Sequence, residues 1–230
     1  VVAATGTETI RTTDLGISAT GALTIQGSSV SIAASAQDIS VGSATIEAVT
    51  GDATVNDAIS ATGAIDITAN LGNVDAAALT AGSTITLSAQ DIDLAGKVDA
   101  TTTAMLTATA GNVSSTGALE IEGSAVTVSG PVLGGTSATI TATSGDATLD
   151  AVTATAGAIS INADTGDIDV GATMAGTSIT LSGQDIDLTG KADATTTAML
   201  TATVGDISST GNVEIEAGSI SLIGRVRAAT

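Results

Sequence analysis

The chain contains no phenylalanine, tryptophan, tyrosine, histidine or cysteine, and its single proline is Pro131. Each absence closes a route. Without aromatic rings a core cannot fill irregular gaps between layers, so it must be uniform in width and aliphatic. Without cysteine there is neither a disulfide framework nor a thiolate metal site. Without histidine or cysteine the many hydroxyls lack a base to activate them, and no nucleophilic triad can be assembled. No glycine-rich phosphate loop opens a helix. No apolar run reaches the roughly 18 residues of a membrane span, and no signal peptide lies in this stretch. The expectation is that the chain is not an enzyme, and that it needs no cofactor for catalysis.

Positive charge is also scarce. Five basic residues, Arg11, Lys97, Lys191, Arg225 and Arg227, face 24 acidic ones, for a net charge of −19. Nucleic-acid binding needs clustered Lys and Arg, so nucleic acid is not an expected partner. An anionic membrane surface is disfavoured for the same reason. The charge instead favours solubility, self-repulsion and a diffuse cation atmosphere. Disorder is disfavoured, because charged residues make up only 13% and the apolar residues fall in regular order.

What the sequence does have is repetition. Gly82-Ser-Thr-Ile-Thr-Leu-Ser-Ala-Gln-Asp-Ile-Asp-Leu-Ala-Gly-Lys97 returns 94 residues later as Gly176-Thr-Ser-Ile-Thr-Leu-Ser-Gly-Gln-Asp-Ile-Asp-Leu-Thr-Gly-Lys191. Asp99 to Thr109 likewise returns as Asp193 to Thr203. A diverged copy, Thr20 to Gly27, matches Thr116 to Gly123 and Thr210 to Ala217. Within each long unit a shorter pattern recurs: a corner of Gly, Ser, Asp or Asn, then apolar-polar-apolar. Ile65-Asp66-Ile67, Ile85-Thr86-Leu87, Ile92-Asp93-Leu94 and Ile39-Ser40-Val41 represent its three sets.

Period-two alternation marks strands with one buried face. Strands this short, joined by corners without hairpin chemistry, cannot pair with one another. They can pair with their equivalents one coil above and below, about 4.8 Å away. The sequence therefore predicts an all-β fold, a right-handed parallel β-helix, with right-handedness taken from the general rule for parallel crossovers. It predicts three short strands per coil, a coil of about 19 residues, and a super-repeat of about 94 residues holding about five coils. One continuous solenoid over residues 1–230 is expected, with super-repeats at about 2–97, 98–191 and, in part, 192–230. That gives roughly twelve coils and a length on the order of 60 Å. Neither terminus shows a cap, so the expected partners are the chain's own flanking repeats or identical subunits stacked end to end.

Runs such as Gly157-Ala-Ile-Ser-Ile-Asn-Ala-Asp-Thr-Gly-Asp-Ile-Asp-Val170 and Ala175-Gly-Thr-Ser-Ile-Thr-Leu-Ser-Gly183 resemble filamentous-haemagglutinin-type repeats of bacterial exoproteins and autotransported adhesins. The resemblance covers nearly the whole chain. It implies a right-handed β-helix at the bacterial cell surface or outside the cell, with roles in adhesion, biofilm or contact-dependent competition. Host or cell-surface ligands would then be engaged by regions outside these residues. The expected function is a structural shaft of a secreted or surface adhesin. The alternative is a subunit of a self-assembling extracellular filament or surface layer.

One cluster invites chemistry. Asp91 and Asp93 flank Ile92, with Asn73 and Asp75 in the same register one coil earlier, and Asp167, Asp169, Asp185 and Asp187 repeat the arrangement. Stacked carboxylates repel unless screened or bridged, and hard oxygen ligands suit Ca²⁺. These eight residues are candidate surface cation ligands, weighed against the favoured alternative of a solvated acidic face. Polysaccharide cleavage is a weaker reading, since no aromatic platform exists for a sugar. An ice-binding array of Thr-x-Thr pairs, as at Thr107, Thr109, Thr141, Thr143, Thr201 and Thr203, is interrupted by Glu47, Asn70 and Asp164. Met105 and Met199 are expected to point outward.

Overall fold

In a computed structural model, residues 2–3, 6–12, 17–34, 38–210 and 213–228 are described; they form strands and corners, with no helix among them. The chain is a parallel β-solenoid of about 10 turns, with roughly 19–21 residues per coil. The turn count falls below twelve because the corners lengthen many coils beyond 19 residues. Two compact units divide it, Val1–Ser114 and Ser115–Thr230.

In the first unit three stacks of strands enclose the core. One runs from the start of Ile39–Ala48 through Ile59–Ala61 and Leu79–Ala81 to Val98–Ala100. The next runs from the end of Ile39–Ala48 through Ile65–Ala69 and Ile85–Ala89 to Thr103–Ala108. The third joins Ser29–Ala34, Ala53–Val55, Val74–Ala76, Ile92–Leu94 and the start of Val113–Ser115. Parallel pairing keeps each inward residue on its counterpart. Ile25, Ile46, Ile67, Leu87 and Leu106 form one buried ladder, flanked by the small residues Ala48, Ala69, Ala89 and Ala108. Burying each large aliphatic side chain is worth about 1.5–3 kcal/mol. Aromatic rings are not needed, because Ile, Leu, Val and Ala stacked in register fill the interior of the described rungs.

The second unit repeats the plan. Ala118–Gly123, Ser137–Ala142, Ile159–Ala163, Ser178–Gly183 and the first limb of Thr197–Ser209 form one stack. Ala125–Ser129, Ala147–Leu149, Ile168–Val170, Ile186–Leu188 and the second limb of Thr197–Ser209 form another. Val132–Gly134, Val152–Ala154, Thr173–Ala175, Ala192–Ala194 and Ile215–Glu216 complete the coil. Ile121, Ile140, Ile161, Leu181 and Leu200 are fully buried in register. Thr173 breaks the aliphatic rule. It is buried, and its hydroxyl has no hydrogen-bond partner, where Leu79 stands 94 residues earlier.

Threonine has a second use at the corners. The hydroxyls of Thr62, Thr101 and Thr109 donate to the carbonyls of Gly42, Ala81 and Ala89 in the preceding coil. Thr143, Thr196 and Thr203 do the same to Gly123, Thr177 and Gly183. Three of the Thr-x-Thr pairs thus have one hydroxyl engaged with the backbone. Glycine also differs from expectation. Among the described residues only Gly130 and Gly224 have positive φ, at 105° and 124°. Many other corner glycines, Gly63, Gly82, Gly157 and Gly176 among them, are needed for room rather than for a left-handed backbone, because a Cβ would strike the neighbouring coil, whereas Gly21 and Gly117 have open space.

Candidate functional site

The candidate acidic cluster separates into two kinds of position. Asp91 lies at the corner ahead of strand Ile92–Leu94, whereas Asp93 lies on that strand and is exposed. The corner residues form a ladder of their own. Asp52 Oδ1 accepts the backbone N–H of Asn73 at 2.9 Å, Asn73 Oδ1 that of Asp91 at 3.3 Å, and Asp91 Oδ1 that of Asn112 at 2.8 Å. In the opposite direction, the backbone N–H groups of Ala53, Val74 and Ile92 donate to the carbonyls of Asn73, Asp91 and Asn112. Each corner is clamped twice, and donors left outside the strand ladder are satisfied.

The second unit carries the same device. Asp146 Oδ1 accepts from the Asp167 N–H at 2.9 Å and Asp167 Oδ1 from the Asp185 N–H at 3.1 Å, while Asp185 Oδ1 takes the Asp206 N–H. Here all four members are acidic. The last is flanked by Arg225, 3.3 Å from one Asp206 oxygen, and Arg227, 2.8 Å from the other.

Sequence reasoning singled out Asn73, Asp91, Asp167 and Asp185 as ligands but missed Asp52 and Asp146, which share their acceptor role, and Asn112 and Asp206, whose backbone N–H closes each ladder. A signal for all eight was present: Gly or Gln, then Asp or Asn, then an aliphatic residue. It occurs at Gly51-Asp52-Ala53, Gly72-Asn73-Val74, Gln90-Asp91-Ile92 and Gly111-Asn112-Val113, and again from Gly145, Gly166, Gln184 and Gly205. Glycine is required where the ladder runs close. A Cβ at Gly111 would lie 1.7 Å from Asp91 Oδ1, and one at Gly205 would lie 1.7 Å from Asp185 Oδ1.

The strand positions behave as expected of an outward column. Thr54, Asp75, Asp93 and Ser114 stack in register, as do Thr148, Asp169, Asp187 and Ser208. Ser114 donates its hydroxyl to Asp93, and Ser208 to Asp187. Partial burial, reinforced by Asp93 and Asp52, pushes the Asp75 carboxyl above its ordinary range, against a smaller opposing hydrogen bond from Thr54. Among the described residues no three acidic side chains are arranged to hold a metal ion. The carboxylates make columns, and at the corners one oxygen each of Asp52, Asp91, Asp146, Asp167 and Asp185 is already committed to a backbone donor.

The remaining charges lie elsewhere. Lys97 pairs with Asp99 at 3.3 Å, and Lys191 reaches Asp193, Glu214 and Glu216. These contacts are solvent-facing, and Glu216 is the first cause of the raised Lys191 pKa. Met105 and Met199 are exposed on their strands. The side chain of Arg11 lies outside the described residues. Chemically, the arrangement offers hydrogen-bond acceptors that brace a backbone. No family model matches the chain, and neither the curated proteins nor the solved structures contain a significant match to it.

Proposed function

We propose that this chain is a structural shaft segment of a large secreted or cell-surface bacterial adhesin or exoprotein, of the filamentous-haemagglutinin type. The observation that carries this reading is the unbroken stack of buried aliphatic rungs, Ile25 to Leu106 in one unit and Ile121 to Leu200 in the other. The corners add side-chain clamps to that stack, in which carboxylate and amide oxygens brace the backbone of the next coil. Mechanical continuity is what such a chain supplies: within each unit, successive described coils are hydrogen-bonded through parallel strands in all three stacks. Adhesion then belongs to parts of the larger protein that the shaft projects. The test is immuno-electron microscopy on intact source cells with antibody raised against this chain. Label on extracellular fibres supports the reading, and label confined to the cytosol overturns it.

A second reading is a subunit of a self-assembling extracellular filament or surface layer, because parallel rungs that pair in register within the chain can also pair between copies by β-augmentation. Electron microscopy of the purified 230-residue chain separates the two readings. Long fibres one solenoid wide favour the filament, and separate short particles favour the shaft.

A further inference from the structure

The long repeat and the coil do not share a period, and the second unit alone shows it. Leu119 and Ile121 stand on the stack that continues through Ala138 and Ile140 to Ile159 and Ile161. Their counterparts 94 residues on are Val213 and Ile215. Ile215 instead pairs with Ala192, on the stack of Val132, Val152 and Thr173. Val126 and Val128 show the same displacement. They pair with Ala147 and Leu149, whereas their counterparts Ile220 and Leu222 pair with Ala198 and Leu200, on the stack of Ile121.

The first unit agrees. Val2 pairs with Ile25, on the stack of Ile46 and Ile67, while Val98, the matching residue of the next copy, pairs with Leu79 on the neighbouring stack.

We infer that the long repeat acts as a screw. It advances the chain by fourteen strand positions, counting Thr197–Ser209 as its two limbs, and fourteen is one short of five three-stranded coils. The outward residues of each repeat therefore reappear on the next face instead of directly above their predecessors. The pair Glu120 and Glu122 projects from one face and its counterpart, Glu214 and Glu216, from another. A whole-coil repeat would pile identical charges into one column, where like charges repel; the screw spreads them around the axis. It also defines the partner. A flat, rigid lattice cannot engage two successive copies of a repeated motif, whereas separate or flexible ligands approaching from different sides can. This inference rests on strand register and holds whichever functional reading is right.

The absence of native cysteine gives a clean test in the full 230-residue chain. In-register neighbours about 4.8 Å apart fall within disulfide reach. Met199 is in register with Ser221, and Ser208 with Arg227. The double variant M199C/S221C should oxidise to near completion and S208C/S221C should stay reduced, read by free-thiol labelling and mass spectrometry. T180C/M199C, in register within one stack, serves as the positive control, and circular dichroism verifies that each variant is folded. A whole-coil repeat predicts closure of S208C/S221C, because Ser221 would then follow the column of Thr127, Thr148, Asp169, Asp187 and Ser208. That outcome overturns the screw, as does failure of M199C/S221C while the control closes.

Discussion

The two corner ladders make the same bonds with different charges. In the first unit acids alternate with amides, as Asp52, Asn73, Asp91 and Asn112. In the second the run is Asp146, Asp167, Asp185 and Asp206, closed by Arg225 and Arg227. What the corner requires is a short side chain whose oxygen accepts a backbone N–H one coil on, and aspartate and asparagine supply it equally. Charge is therefore a separate variable laid over a common geometry. Alternation dilutes it in one unit, and arginine offsets it at one end of the other.

The glycines should break both ladders most severely. Gly111→Ala and Gly205→Ala are each expected to cost about 2–3 kcal/mol in urea unfolding, from overpacking and a lost hydrogen bond. Gly117→Ala, where an added Cβ meets nothing within 4 Å, should change stability little. Equal losses at all three would mean that the ladder does not constrain the glycines.

Thr173 separates the units by core rather than corner. Thr173→Val should stabilise the chain by about 1–2 kcal/mol, since it removes a buried hydroxyl that has no partner. A loss on thermal melting would show that the hydroxyl is satisfied.

Removing a ladder acceptor should cost about 1 kcal/mol in either unit, as Asp91→Ala or Asp185→Ala. The amide variants sharpen the contrast. Asp91→Asn, between two asparagines, should leave the melting midpoint unchanged. Asp185→Asn, inside an acidic run, should raise it at low salt, with the gain fading at high salt. Identical responses would show that neighbouring charges do not matter.

The smallest effect is expected at Asp75. Burial holds its folded pKa above that of an ordinary aspartate, so between the unfolded and folded values the native state holds more protons. Stability contributed by this group is therefore present at acid pH and lost as pH rises through the folded pKa. Asp75→Asn should raise the urea midpoint at pH 7 and leave it unchanged near pH 3. A gain of equal size at both values would point to packing instead of charge.

Much of this fold was legible because alternation is a local signal. Ile85-Thr86-Leu87 and Ile92-Asp93-Leu94 bury the residues that period two assigns inward. The acidic columns were legible too, since Asp75 and Asp93 do stack in register. Two features were hidden. Asp91 and Asp93 look alike in sequence, yet one turns to the backbone and the other to solvent, a difference set by a corner that spacing alone does not locate. The mismatch between 94 residues and a whole number of coils was masked because strand positions are unevenly spaced. Only the pairing of Ile121 with Ile140 and of Ile215 with Ala192 exposes it.

That uneven spacing has a consequence for assembly. Along each ladder the corners are 21, 18 and 21 residues apart. A chain of equal coils would have no address: any rung could settle on any other, and slipped alignments would compete with the native one. The short coil between two long ones acts as a key. A slip by one coil would set 18 residues against 21, leave three with no place in the stack, and strip the corner oxygens of their donors. In a sequence this repetitive, irregularity is what tells one rung from the next.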